Sequence, residues 1–184
     1  MNLLKIPKSI YIFQNVIEKD ECDYFTKKMI ERNKKEELIL WEDIPTVLVA
    51  TPDKEDTEFI NKVNSFFINF VVDKYQYKEK LNIFDSNLSL WKTGAVGNPH
   101  LDNYAPEHQS KYNLFSSTFY LNESFSGGEI NFPNLDFFYK PKLGSMIIFP
   151  CDTDEKVKWH QRPHLHEVKI VTSGFRVTVP AWLQ

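Results

Sequence analysis

The sequence predicts a mostly β fold, a jelly roll supported by two N-terminal α-helices, on three observations. Strand-like runs punctuated by Gly, Pro and Asn follow one another from Leu81 almost to the end of the chain. Two stretches of helical periodicity precede them. Aromatic residues make up 15% of the chain, which suits a β-rich core with bulky inward side chains.

Taken in order, Ser9 to Val16 (SIYIFQNV) reads as a short strand. From Glu18 to about Arg32 the pattern is helical, with Cys22, Phe25, Met29 and Ile30 near helical spacing. The charged run RNKKEE ends that helix and reads as a solvated turn. Thr46 to Ala50 (TVLVA) is a strand closed by Thr51-Pro52. A second helix runs from Asp53 to about Tyr75, with Phe59, Val63, Phe66, Phe67, Phe70 and Val71 as its core-facing stripe. Then come SNLSLWK, NLFSSTFYLN, GEINFP, FFYKP, GSMIIFP, LHEVKIV and FRVTVPAWL, each a candidate strand. With no repeat and no low-complexity linker, the expectation is one domain over 1–184, a helical support region at 1–80 and a β-barrel core at 81–184.

A net charge of -3 and a pI near 6.0 argue against a general nucleic-acid or anionic-membrane binder. No apolar run approaches the length that spans a bilayer. The start, MNLLKIPKSIYIF, lacks the long apolar stretch and small residues of a secretory signal. Cys22 and Cys151 are far apart and outside any CxxC spacing, as expected for buried or partly buried free thiols in a reducing cytoplasm. The expected setting is therefore cytoplasmic, without nucleic-acid or membrane partners.

The chemistry concentrates in the second half. In NPHLDN, His100 and Asp102 sit at i and i+2, which in a strand share a face and can reach one ion. A surface turn explains HxD alone equally well. Two imidazoles and a carboxylate on one face of a metal leave the opposite positions open, the arrangement of non-haem Fe(II) oxygenases. The third ligand is to be sought among His160, His164 and His166. Periodicity does not separate His164 from His166, which share a face. His166 gains from the β-branched strand, the TSG turn and the arginine that follow, since a hairpin there would bring His166 and Arg176 into one cavity. His164 would then lie near the mouth and His160 in a loop.

Arg176 stands in an otherwise apolar strand, FRVTVPAWL, with Thr178 and Trp182 on its face and Val177 and Val179 on the other. A guanidinium there is costly to bury without an anionic partner, either a protein carboxylate or that of a ligand. In SSTFYLN, alternation puts Ser116, Thr118 and Tyr120 on one face, lining a wet interior or facing solvent, and Phe115, Phe119 and Leu121 on the other.

The ordered blocks HLD, SSTFYLNESFSGGEINFP, KPKLGSMIIFP and HEVKIVTSGFRVTVPAW resemble the catalytic domain of prolyl 4-hydroxylase-like 2-oxoglutarate/Fe(II)-dependent oxygenases. The resemblance spans Asn87 to Leu183 and implies a double-stranded β-helix, a cupin-like barrel. By position it makes His100, Asp102 and His166 the iron ligands and catalytic centre. Arg176 falls where the family pairs a basic residue with the far carboxylate of 2-oxoglutarate, Tyr120 on a tyrosine that hydrogen-bonds the same group, and Thr178 beside them. Trp182 falls on an aromatic position near the barrel floor, and Gly127 to Glu129 on a turn and strand that close the jelly roll. Trp91 stands about where many members have a tyrosine, a departure that bears on substrate rather than metal.

The resemblance implies a dioxygenase with Fe(II), 2-oxoglutarate and O2, and ascorbate as a reductant. It would hydroxylate a C–H bond and release succinate and CO2. Halogenases related to this class lack the carboxylate ligand, so Asp102 favours hydroxylation. The expected substrate is a prolyl or other amino-acid residue of a peptide or protein, the alternative a free amino acid or small metabolite. Tyr104 to Tyr112 and Trp41 to Asp56 are candidate rims of the active site. A non-catalytic cupin-like binding module would lack a ligand or Arg176, and neither is missing. A zinc hydrolase calls for a denser pattern such as HExxH, which is absent.

Overall fold

The computed structural model describes residues 6–42, 44, 46–103, 109–152, 154 and 156–184. The chain order is β1 (Tyr11–Phe13), α1 (Lys19–Lys34), β2 (Leu38–Leu40), β3 (Val47–Ala50), α2 (Lys54–Tyr75), β4 (Ile83–Ser86), β5 (Ser89–Trp91) and β6 (Gly97–His100). It continues through β7 (Phe115–Tyr120), β8 (Phe125–Gly127), β9 (Ile130–Phe132), β10 (Phe137–Tyr139), β11 (Ser145–Pro150), β12 (His166–Val168), β13 (Val171–Gly174) and β14 (Arg176–Leu183).

The larger sheet has the order β1-β11-β7-β14-β5-β3-β2, with β4 also pairing β14. A smaller sheet, β10-β9-β12-β6, lies over it, and β13 pairs with β8 separately. All pairings are antiparallel. This is the jelly roll that the strand pattern predicts. Three strands from the first 80 residues, β1, β2 and β3, extend the larger sheet, so the N-terminal region contributes more than helices.

Alternation explains the layers. From β14, Val177, Val179, Ala181 and Leu183 point to one side, where Phe59, Val63, Phe67 and Val71 of α2 and Phe25 and Met29 of α1 bury them. From β7 and β11, Tyr120, Ile147 and Phe149 point the other way and meet Ile130, Phe132 and Phe137 of the smaller sheet. The Phe stripe of α2 divides its work. Phe59 and Phe67 enter the core, whereas Phe66 and Phe70 pack edge-on against Phe13 of β1.

Helix α2 begins with a capping box: the Asp53 side chain accepts from the Asp56 N–H, and the Asp56 side chain accepts from the Asp53 N–H. The two acids also receive Lys28 and Arg32 from α1, and Arg32 Nη2 lies 2.7 Å from Asp53 Oδ2. The run RNKKEE is therefore not wholly a solvated turn. Helix α1 continues through Lys34, and Arg32 is its clamp on α2. The short strand β2 directly after that run was not anticipated from the sequence, its three residues giving too little periodicity beside six charged or polar ones.

Candidate metal centre and cosubstrate pocket

Strand β6 ends at His100, and strand β12 begins at His166; the two residues are register partners. Their ring centres lie 4.3 Å apart. Asp102 lies in the turn just beyond β6 rather than in a strand, so the turn and not i, i+2 alternation brings its carboxylate round. The buried Leu101 and a hydrogen bond from Asn113 Nδ2 to the Asp102 carbonyl (2.9 Å) hold that turn. His100 Nε2 is 3.4 Å from Asp102 Oδ1, and His166 Nε2 is 3.6 Å from Asp102 Oδ2. The three residues offer ligand atoms that all lie within 4.8 Å of one another, the one such cluster among the described residues.

The outer nitrogens fix the inner ones. His100 Nδ1 bonds the Asn98 carbonyl at 2.7 Å, and His166 Nδ1 bonds the His164 carbonyl at 3.0 Å. A carbonyl only accepts, so each Nδ1 carries the proton and each Nε2 presents a lone pair inward. Burial among Phe132 and Phe149 drives the His166 pKa down to about 4, which keeps the ring neutral. For Asp102, burial pushes upward, but His166, His100 and the Ser116 hydroxyl outweigh it and hold the carboxyl well below its ordinary range. At His100 burial pushes downward, but the Asp102 carboxylate outweighs it and raises the pKa. A divalent cation would therefore displace a proton held more firmly there, while His166 is already neutral beside an ionised carboxylate.

His160 is exposed in a 3-10 turn and outside the cluster, in a loop as expected. His164 is not near the mouth. It is buried, with Nδ1 2.7 Å from Asp152 Oδ1 and Nε2 2.9 Å from Ser9 Oγ. It also shares no strand face with His166, because a turn through Arg162–Leu165 precedes β12.

Arg176 opens β14 on the opposite sheet, and both it and His166 line one narrow cavity. The expected His166–Arg176 hairpin does not form. Strand β13 pairs with β8, and β14 pairs with β5, β7 and β4, so the chain crosses between sheets and brings the two residues face to face instead. Arg176 is 1% exposed, its Cζ 4.6 Å from the centre of the Trp91 ring and 5.1 Å from that of Tyr120. Gly128, with φ +69, leaves room for it: a Cβ there would meet Arg176 Cδ at 3.0 Å.

Among the described residues no carboxylate forms an ion pair with Arg176, and its Nε and Nη1 have no hydrogen-bond partner. Tyr120 Oη, also buried, lacks one too. Burial raises that phenol to about 12, with Arg176 pulling it partly back, so it stays a neutral donor. Unpaired buried donors converging beside a guanidinium suit a carboxylate brought by a ligand. Thr178 lines the same cavity, with its hydroxyl 2.7 Å from Ser89 Oγ. Ser116 and Thr118 turn into this interior rather than to solvent.

Outside lies a cleft of about 590 Å³ with His100 and Asp102 in its lining and Trp41, Ile44, Phe84 and Trp182 along its walls. Trp41 and Trp182 face one another, ring centres 5.8 Å apart. Trp182 thus borders both cleft and inner cavity rather than a floor. Of the two expected rims, Trp41, Ile44 and Thr46 line the cleft, while Asp53 and Asp56 belong to the α2 cap. Ser110 lines it as well; residues 104–108 of the other rim lie outside the described residues.

The sequence profile of the 2OG-Fe(II) oxygenase superfamily matches residues 86–184, more than half of the chain and every strand that carries the site. The chain belongs to this superfamily. It is an enzyme of the 2-oxoglutarate/Fe(II) class, with Fe(II) as cofactor and 2-oxoglutarate and O2 as cosubstrates. No curated protein matches it by sequence. Among solved structures it is similar to a viral collagen prolyl hydroxylase from Paramecium Bursaria Chlorella virus-1, with 24% identity, 96% of this chain and 95% of that one covered, and a TM-score of 0.69. It is likewise similar to a Pseudomonas putida prolyl-4-hydroxylase (16% identity, coverage 96% and 92%, TM-score 0.70). A third is a Trichoplax adhaerens prolyl hydroxylase in complex with a hypoxia inducible factor peptide fragment (15%, coverage 95% and 83%, TM-score 0.67). These likenesses establish the fold, a double-stranded β-helix, over nearly the whole chain.

Missing from the sequence reading were the Trp91 face beneath Arg176, the Asn113 brace on Asp102 and the Asp152–His164–Ser9 chain. Only Trp91 carries a sequence signal, as an aromatic at the end of the strand-like run SNLSLWK.

Proposed function

We propose that this enzyme hydroxylates a prolyl residue within a peptide or protein segment, with succinate and CO2 as co-products. The observation that carries the reading is the order of compartments. Unpaired Arg176 and Tyr120 donors lie at the closed end, the His100–Asp102–His166 cluster in the middle, and an aromatic-walled cleft outside. The similar solved structures named for prolyl hydroxylation add to it.

In this reading His100 Nε2, His166 Nε2 and an Asp102 oxygen hold Fe(II), which with 2-oxoglutarate supplies O2-dependent oxidation of a C–H bond. The chain does the rest. Arg176 and Tyr120 take the distal carboxylate of the cosubstrate and set its depth. The Trp91 and Tyr120 rings hold the guanidinium in place and keep water from it. Asp102 stays ionised and His166 neutral, so neither gives up a proton to the substrate. Trp41, Ile44, Phe84 and Trp182 offer an apolar bed to a pyrrolidine ring. We further infer a reducing, cytoplasmic setting, which two free buried thiols support.

The test is a panel of proline-containing peptides, matched peptides without proline, and free amino acids, each incubated with Fe(II), 2-oxoglutarate and O2. The reading expects one added oxygen on proline in peptides. Oxidation of a free amino acid with no peptide modified would assign the site to a small metabolite instead.

A further inference from the structure

His164 and Asp152 lie outside the metal cluster, yet both are tied to its two arms. The Asp152 carboxylate grips His164 twice. Oδ2 accepts the His164 backbone N–H at 2.7 Å, and Oδ1 accepts the imidazole Nδ1–H at 2.7 Å. In the neutral ring Nε2 then accepts the Ser9 hydroxyl at 2.9 Å, so a buried imidazole has both nitrogens satisfied. The carbonyl of this doubly held residue receives His166 Nδ1–H at 3.0 Å. The Phe149 ring adds a side support, 6.4 Å from His164 in a stacked arrangement and 4.9 Å from His166 edge-on.

The same residue reaches the other arm through its main chain. The Asp152 carbonyl accepts Asn103 Nδ2 at 2.8 Å, and Asn103 directly follows Asp102. Arg162 Nη1 donates to that carbonyl at 3.1 Å and Arg162 Nε to the Val157 carbonyl at 3.1 Å. Residue 152 is thus the node from which the turn bearing Asp102 and the strand bearing His166 are both braced.

We propose that Asp152 is a positioning residue of the metal centre: through His164 it aims the carbonyl that fixes the tautomer and orientation of His166. The sequence Ser9–His164–Asp152 has the connectivity of a hydrolytic triad. Neither the outer cleft nor the inner cavity is lined by Ser9, however, and the second Asp152 oxygen is spent on a backbone N–H. The set holds structure rather than attacking a substrate. Outer partners of ligating histidines typically alter metal affinity by about 10–100-fold, because a loose ring spreads its lone pair over unproductive directions. The inference rests on the reading of His166 as a ligand.

Asparagine offers a control specific to this geometry. In Asp152→Asn the amide oxygen still accepts the His164 N–H. The amide NH2 can donate to Nδ1 if His164 takes its other tautomer and Nε2–H donates to Ser9. The His164 carbonyl then stays where it is. Alanine keeps neither contact.

The experiment is an anaerobic titration of the full chain with Co(II), followed by visible absorbance, alongside thermal melts of the metal-free proteins. Asp152→Ala should bind Co(II) at least tenfold more weakly, Asp152→Asn within about threefold of wild type, and the core variant Val63→Ala as wild type despite a lower melting temperature. Wild-type affinity in a folded Asp152→Ala overturns the proposal, as does an Asp152→Asn that binds no better than Asp152→Ala. Should Asp152→Ala not fold, Asp152→Glu takes its place. It keeps the charge but moves the oxygens one methylene away, and the same tenfold loss is expected, with wild-type affinity overturning the proposal. His166→Ala, measured in parallel, separates the two levels: if it too binds Co(II) normally, the ligand reading itself has failed.

Discussion

His100 and His166 meet as register partners across the β6–β12 pair, their ring centres 4.3 Å apart. One ladder position thus delivers two imidazoles, and the turn after β6 adds the Asp102 carboxylate. Loss of His100, Asp102 or His166 should each weaken divalent-metal binding by more than about a hundredfold, beyond what outer partners cause. His160→Ala should bind metal as wild type, since His160 is exposed and outside the cluster. Anaerobic metal titration checks both. Strong binding by His166→Ala would take it out of the ligand set.

Arg176 should show a trade of stability for binding. Its buried Nε and Nη1 have no hydrogen-bond partner among the described residues, and leaving such groups unpaired costs about 1–3 kcal/mol. Arg176→Met, of similar length, should therefore raise the melting temperature while abolishing 2-oxoglutarate binding. Thermal melts with and without the cosubstrate test this. A destabilised Arg176→Met would show instead that guanidinium packing on the Trp91 and Tyr120 rings outweighs the unpaired N–H groups.

Cosubstrate affinity should grade with donor geometry. Arg176→Lys keeps charge but not the planar fork. Loss of a charge-assisted bond of about 1.5–3 kcal/mol should lower affinity by roughly ten- to a hundredfold. Arg176→Ala should be worse, and Tyr120→Phe milder by one neutral donor. Metal affinity should hold in all three, as isothermal titration can show.

The clamp between α1 and α2 should fail in acid. The Asp56 N–H, then Lys28, lower the Asp53 pKa from 3.8 to about 2. A lowered carboxylate pKa stabilises the fold fully above 3.8, and the contribution is lost as pH falls through about 2. Asp53→Ala should cost about 1 kcal/mol at neutral pH through loss of the cap. Its deficit against wild type should shrink between pH 4 and pH 2 in acid melts; a deficit constant down to pH 2 would show that the carboxylate charge is not what matters.

How much of this was legible beforehand depended on range. The strand runs, the α2 stripe, HLD and the lone Arg176 in an apolar strand were readable because periodicity and an out-of-place charge are local signals. The partnering of β13 with β8 was not, because adjacency in sequence favours a hairpin and says nothing about a crossing between sheets. Asp152 and Ser9 were also invisible: they meet His164 from positions 12 and 155 residues away, with no pattern linking them. Arg32 looks solvated in the sequence for the same reason, its partners Asp53 and Asp56 lying at the start of the next helix.

The most direct measurement of the central claim is succinate formed from 2-oxoglutarate, quantified against hydroxylated proline in a peptide substrate, for wild type, His166→Ala and Arg176→Ala. The account predicts Fe(II)-dependent turnover with one succinate per hydroxyl in wild type. It predicts none in His166→Ala, and in Arg176→Ala activity recovered only at much higher 2-oxoglutarate. Turnover in His166→Ala equal to wild type, or an unchanged 2-oxoglutarate requirement in Arg176→Ala, would contradict it.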